Sequence, residues 1–198
     1  MANVDSRFGL RPVDHLLGIN WSSKVRKCYM TGATGACYIG DPVVIAGSSD
    51  ATGVYPTVVP ATLAATNLFS GVVVGFEPDP DDLSLLYRKD STNRYALVCV
   101  DPYVIYEVQA CTALVLANTT VGLNAIMVQT HAGDTATGLS GQEMDSGVAT
   151  APAADATYQL FILGLVPRPD NDISAVNAKW RVIIGLHSFL TIGGILGV

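Results

Sequence analysis

The stretch Gly71-Val72-Val73-Val74-Gly75-Phe76, cut off by Glu77-Pro78-Asp79-Pro80-Asp81-Asp82, decides the fold class of this chain. Three consecutive β-branched residues ending on an aromatic make a run too short for a helix and well suited to a buried strand. The two prolines and four carboxylates that follow stop it sharply. The same alternation of short apolar runs and turn clusters extends in both directions. Val25 to Met30, Leu83 to Arg88, Tyr95 to Val100, Tyr103 to Gln109, Ala125 to Gln129, Tyr158 to Val166 and Trp180 to Leu190 all read as strands. Ala36 to Ala46 reads as two short strand pieces meeting at the turn Gly40-Asp41-Pro42. Val54 to Pro60 is β-branched, but its two prolines demote it to an edge or a loop. Helical periodicity is confined to a weak candidate at Pro60 to Asn67 and one turn at Ala175 to Lys179. The pattern predicts an all-β chain: a small barrel or sandwich body with an extended N-terminal arm and little helix.

The arm stands apart by charge. Met1 to Lys27 carries five basic residues against two acidic ones, a surplus of three, which leaves the remainder at −9 in a total of −6. Within Met1 to Ser23, Gly9, Pro12 and Gly18 prevent a continuous helix. Such a segment cannot build a core and has to lie on its own body, a sister subunit or a larger assembly. The division expected is an arm over 1–23 and a β-rich body over 24–198. Within the body, residues 131–152, rich in Gly, Thr, Ser and Ala, are expected to form a flexible surface loop. The body should fold without the arm.

With 49% hydrophobic and 14% charged residues the chain has ample material for a core, and so few charges suggest that part of its surface is covered by a partner. A net charge of −6 argues against nucleic acid, which needs clustered Lys and Arg. The apolar stretch Val182 to Val198 is short and interrupted by His187 and glycines, so no membrane span is expected, and the glycine-rich tail is read as an exposed or partner-bound terminus. Cys28, Cys37, Cys99 and Cys111 form no CxxC pair and have no His at zinc spacing; they are read as free thiols of a reducing cytoplasm, with a Cys28–Cys37 bridge as the alternative.

No motif assigns a catalytic, cofactor or metal site. Gly32-Ala33-Thr34-Gly35 lacks the Lys-Ser/Thr ending of a phosphate loop, and Gly138-Leu139-Ser140-Gly141 misses nucleophile-elbow spacing by one residue. His15, His131 and His187 are dispersed, with His187 read as a half-buried strand residue. Asp79, Asp81 and Asp82 crowd one turn without an EF-hand pattern; they read as a solvated turn, or as partners for an arginine of a neighbouring subunit. Arg168, Asp170 and Asp172 are spaced for a local ion-pair cluster, and Glu77, Asp101 and Glu107 are carboxylates at strand ends or within strands.

The strings NVDSRFGLRPV, GVVVGFEPDPDDLSLLYR, YQLFILGLVPRPDN and NAKWRVIIGLH resemble a family of small tailed-bacteriophage proteins encoded beside the major capsid protein. The resemblance spans Phe8 to about His187 and fades over 131–152 and in the tail. It implies a capsid decoration, or cement, protein: made in the host cytoplasm, seated on the outer capsid surface, often as a homotrimer, and clamping adjacent capsomers of the major capsid protein. It brings no catalytic residues. Phe8, Leu10, Arg11 and Trp21 are the arm residues expected to bind the partner, apolar groups supplying most of the binding and the arginine fixing position. A tail or head-completion structural protein and a β-barrel carbohydrate-binding module are the alternatives.

Overall fold

The computed structural model describes residues 3–33 and 35–190. The tail expected to be exposed or partner-bound falls at 191–198, outside the described residues. The chain is all-β, with only three-residue or four-residue 3-10 turns beside twelve strands among the described residues. No described helix is long and apolar enough to cross a membrane.

Five strands close into a barrel: β2 (Val25–Met30), β3 (Pro42–Ser49), β4 (Pro56–Pro60), β5 (Gly71–Phe76) and β6 (Arg94–Cys99), in the order β2-β4-β3-β5-β6. Alternate side chains fill it, Cys28 and Met30 from β2, Val43 from β3, Val58 from β4, Val73 from β5, and Ala96 and Val98 from β6. A second, antiparallel sheet runs β1 (Arg11–His15), β7 (Val104–Gln109), β12 (Lys179–Ile184), β11 (Leu160–Leu165) and β8 (Asn124–Ala125). Its inner face carries Val104, Tyr106, Val108, Leu160, Ile162, Trp180, Val182 and Ile184 into one core with Val72 and Cys99 of the barrel wall. Val72 and Val73 thus face different cores. That is the physical reason for the unbroken Val-Val-Val run: a strand buried on both sides has no polar face. A hairpin of β9 (Met127–Gln129) and β10 (Gln142–Met144) completes the fold.

Several local expectations are corrected. Pro56–Pro60 is a barrel strand, pairing with β3 and through Tyr29↔Thr57 with β2; its prolines sit at the two ends, where a missing N–H costs least. Leu83 to Arg88 contains no strand: Leu83 and Leu86 are exposed, and only Arg88 makes a bridge, to Cys37. The expected helical turns at 60–67 and 175–179 are irregular. Residues 131–152 are not surface throughout, since Ser140, Gln142, Glu143, Met144 and Ser146 are buried around β10. His187 is fully buried and lies beyond the end of β12, not half-buried within a strand. All four cysteines are free and buried, and Cys28 and Cys37 do not pair.

The arm is extended but not separate. Arg11–His15 is the edge strand of the second sheet, paired with β7 from Arg11↔Glu107 to His15↔Val104 around a bulge at Val13. Ahead of it, the Asn3 side chain donates to the carbonyls of Asp172 and Val176 and accepts from the Asp172 N–H. The Asp5 carboxylate and the Ser6 N–H both bond the Gln109 amide. Leu10 is 1% exposed within the main core. A body lacking 1–23 would lose an edge strand and a core side chain, so independent folding of the body is not what this packing supports.

Candidate partner-binding groove

The four arm residues singled out in the sequence converge. Phe8, Leu10, Arg11 and Trp21 line one groove of about 310 Å³, closed on its other side by Ile39, Gly40, Val73, Val74 and Leu139. Phe8 and Leu10 are buried in their own chain and form its inner wall, whereas Trp21 is half-buried and Arg11 keeps half of its side chain exposed. Only the latter two therefore present substantial surface to an incoming group. The lining is apolar apart from the Arg11 guanidinium, a composition that favours an apolar side chain with one charged or polar group beside it.

Backbone contact sets the geometry. The Leu10 N–H donates to the Gly40 carbonyl at 2.9 Å. Gly9 and Gly40 both adopt positive φ, +66° and +98°, and a Cβ on Gly9 would collide with the Gly40 carbonyl, one on Gly40 with the Phe8 carbonyl. Glycine is required at both positions because two main chains touch there. Beneath this contact Asp41 is buried, and burial pushes its carboxyl upward, partly offset by hydrogen bonds from the Ser140 hydroxyl, the Tyr38 N–H and Cys37. Ser140 is thus a packing residue that carries Asp41 and, through its Oγ, the Gln142 N–H.

Charge fixes Arg11. Its guanidinium stacks 4.4 Å over the Phe8 ring and reaches Glu107 Oε2 at 3.0 Å. Glu107, almost fully buried, also takes Arg168 at 2.6 Å, while Arg168 lies 3.6 Å from Asp170. The expected Arg168–Asp170 pair is present, but the shorter partner is Glu107, 61 residues away. A buried carboxylate holding two guanidiniums orients both, and Arg11 is preorganised at the groove mouth. Nearby Lys179 is buried, which lowers its pKa, with repulsion from Arg168 adding to the effect.

Ile39, Gly40, Val73, Val74 and Leu139 were not anticipated as site residues. Gly40 was legible only as a turn, and Leu139 lies in the segment read as flexible. The remaining sequence candidates do not gather: no three His, Cys, Asp or Glu side chains among the described residues are placed to hold a metal ion. Glu77 pairs with Lys27 at 2.7 Å and Asp101 lies 3.4 Å from His15 Nε2, each in its own local contact. Compared with protein-family models, curated proteins and solved structures, the chain matches none.

Proposed function

We propose that this chain is a virion structural protein that decorates an icosahedral phage capsid and stabilises it by clamping adjacent capsomers, bound to the major capsid protein on the outer surface and associating with its own copies as a homotrimer. The observation that carries the reading is the groove: Phe8, Leu10, Arg11 and Trp21, picked out as partner anchors from the arm alone, line a single apolar recess with one oriented guanidinium at its mouth. The resemblance in the four quoted strings supports the same reading. A closed barrel sharing a wall with a second sheet gives the rigid body a clamp requires, and many identical contacts on one shell multiply modest individual affinities. The arm acts here as a wall of the binding surface rather than a free strap.

The carbohydrate-binding alternative needs exposed ring faces. Tyr29, Tyr55 and Tyr95 do cluster on the barrel, but they pack on one another and Lys27 lies 4.1 Å over Tyr95 and 4.7 Å over Tyr55, covering faces a sugar would use. Tyr38 and Tyr87 stack on each other at 4.9 Å.

Co-sedimentation of the purified chain with expanded capsid shells that lack it tests the proposal. Saturable binding is expected, weakened at least about tenfold by Trp21→Ala, as for a central aromatic anchor. Absence of saturable binding would move the protein to the tail or the head-completion complex.

A further inference from the structure

The outer face of the second sheet is covered at Glu107 and Gln109 of β7 but partly exposed along β11 and β12, where it carries a mixed apolar and cationic surface. Strand alternation sends Ile105, Phe161, Arg181 and Ile183 outward, opposite the core face. Pairing register aligns Arg11, Glu107, Arg181 and Gly164 in one row across four strands. Arg11 and Arg168 are taken up by Glu107. Arg181 has no acidic partner among the described residues, and its Nε is buried without a hydrogen-bond acceptor. Gly164 leaves space beside it, since a Cβ there would meet nothing within 4 Å. In the adjacent row Ile183 pairs with Phe161. A guanidinium lacking a carboxylate, beside half-buried apolar side chains, is a surface prepared for a partner that brings both.

The chain itself carries such a partner on its barrel. The loop after β5 is held rigid by Arg94, whose guanidinium donates to the carbonyls of Glu77, Leu85 and Tyr87 at 3.0, 2.9 and 2.5 Å. It presents Asp79 and Asp81, which have no cationic partner within ion-pair distance among the described residues, whereas Glu77 and Asp82 pair with Lys27 and Lys89. Next to these carboxylates stand Leu83, 79% exposed, and Leu86, 47% exposed. The loop is acidic and apolar where the sheet face is cationic and apolar, and its pinned backbone lowers the ordering cost of docking.

We propose that loop 77–86 of one copy docks on the outer face of the second sheet of the next, with Asp79 and Asp81 meeting Arg181, and Leu83 and Leu86 covering Ile183 and Phe161. The inference rests on the reading that copies of this chain associate, and it names the contact. Because the two surfaces differ, the contact is head-to-tail and generates a closed ring or a filament, not an isologous dimer.

Sedimentation equilibrium of the full chain, without any shell, tests this from about 1 µM to about 1 mM, the range in which a contact of this size reports. The wild type is expected to self-associate, and salt should weaken the association. Arg181→Glu and Asp81→Lys should each weaken it at least tenfold, and the two together in one chain should restore most of it. Asp81 is an exposed loop residue, so its variant keeps the fold, checked by an unchanged circular dichroism spectrum. A monomer throughout the range, single reversals without effect, or a double variant no better than the singles would each overturn the contact. Shell binding by a chain that stays monomeric would reject this contact while leaving the decoration reading intact.

Discussion

Replacing Gly9 by Ala should be far more damaging than the same change at Gly18, although both residues sit at nearly the same positive φ, +66° and +68°. At Gly18 a Cβ meets nothing within 4 Å, so the cost is the backbone preference alone, about 1 kcal/mol. At Gly9 the added carbon would strike the Gly40 carbonyl and the Ser140 Cβ, and neither backbone can move without breaking the Leu10–Gly40 hydrogen bond. Relief comes by shifting the arm, which begins to expose Phe8 and Leu10. Partial loss of two buried side chains, each contributing roughly 1.5–3 kcal/mol, raises the total to about 3 kcal/mol. For a chain of this length that corresponds to a fall in Tm of roughly 6–12 °C, against roughly 2–4 °C for Gly18→Ala. Differential scanning calorimetry of the two variants reads the contrast directly. Equal shifts would refute the close approach of arm and barrel and, with it, the geometry of the groove.

Further outcomes follow from the same packing. Deleting 1–23 removes Phe8, Leu10 and β1, a loss of at least roughly 3–6 kcal/mol in side-chain burial alone, so urea unfolding should show a large drop in midpoint or no cooperative transition. His187, whose burial lowers its pKa to about 4 with Asp101 opposing the shift, should make the fold acid-sensitive. The folded state keeps this imidazole neutral while the unfolded chain protonates near 6.5, so stability is full above about pH 6.5, is lost as pH falls, and the loss is complete near pH 4. The change amounts to on the order of 3 kcal/mol, and His187→Asn should flatten the urea midpoint between pH 7 and 4.5. The four buried cysteines should resist a thiol reagent at neutral pH and all react after unfolding; burial pushes the Cys28 thiol up to about 11 and the Cys37 thiol well above its ordinary value.

Strands whose apolar runs are bounded by turn residues were legible in the sequence. Val25–Met30 and Gly71–Phe76 have the predicted limits, and β6, β7 and β11 differ by a residue or two. Segments whose burial depends on distant partners were not. Gln142 and Glu143 are polar, yet both are buried, and Gln109, on β7, bonds the Glu143 carboxylate. Leu83 to Arg88 reads as a strand from its leucines, but Arg94 takes the loop's carbonyls as a set and leaves Leu83 outside. Phe8, Leu10, Arg11 and Trp21 could be named from the sequence as candidates, among other apolar arm residues such as Val13, Leu16, Leu17 and Ile19. Their opposite wall could not, because Gly40 and Leu139 meet them only through the tertiary fold.

Stabilisation of the capsid itself tests the central claim most directly. Shells lacking this chain would be heated with and without it, and their rupture followed by light scattering and by release of packaged DNA. The account predicts that rupture moves to higher temperature as sites fill, and that Trp21→Ala and Arg11→Glu blunt the shift. Shells that fill with the chain yet rupture at an unchanged temperature would contradict a clamp.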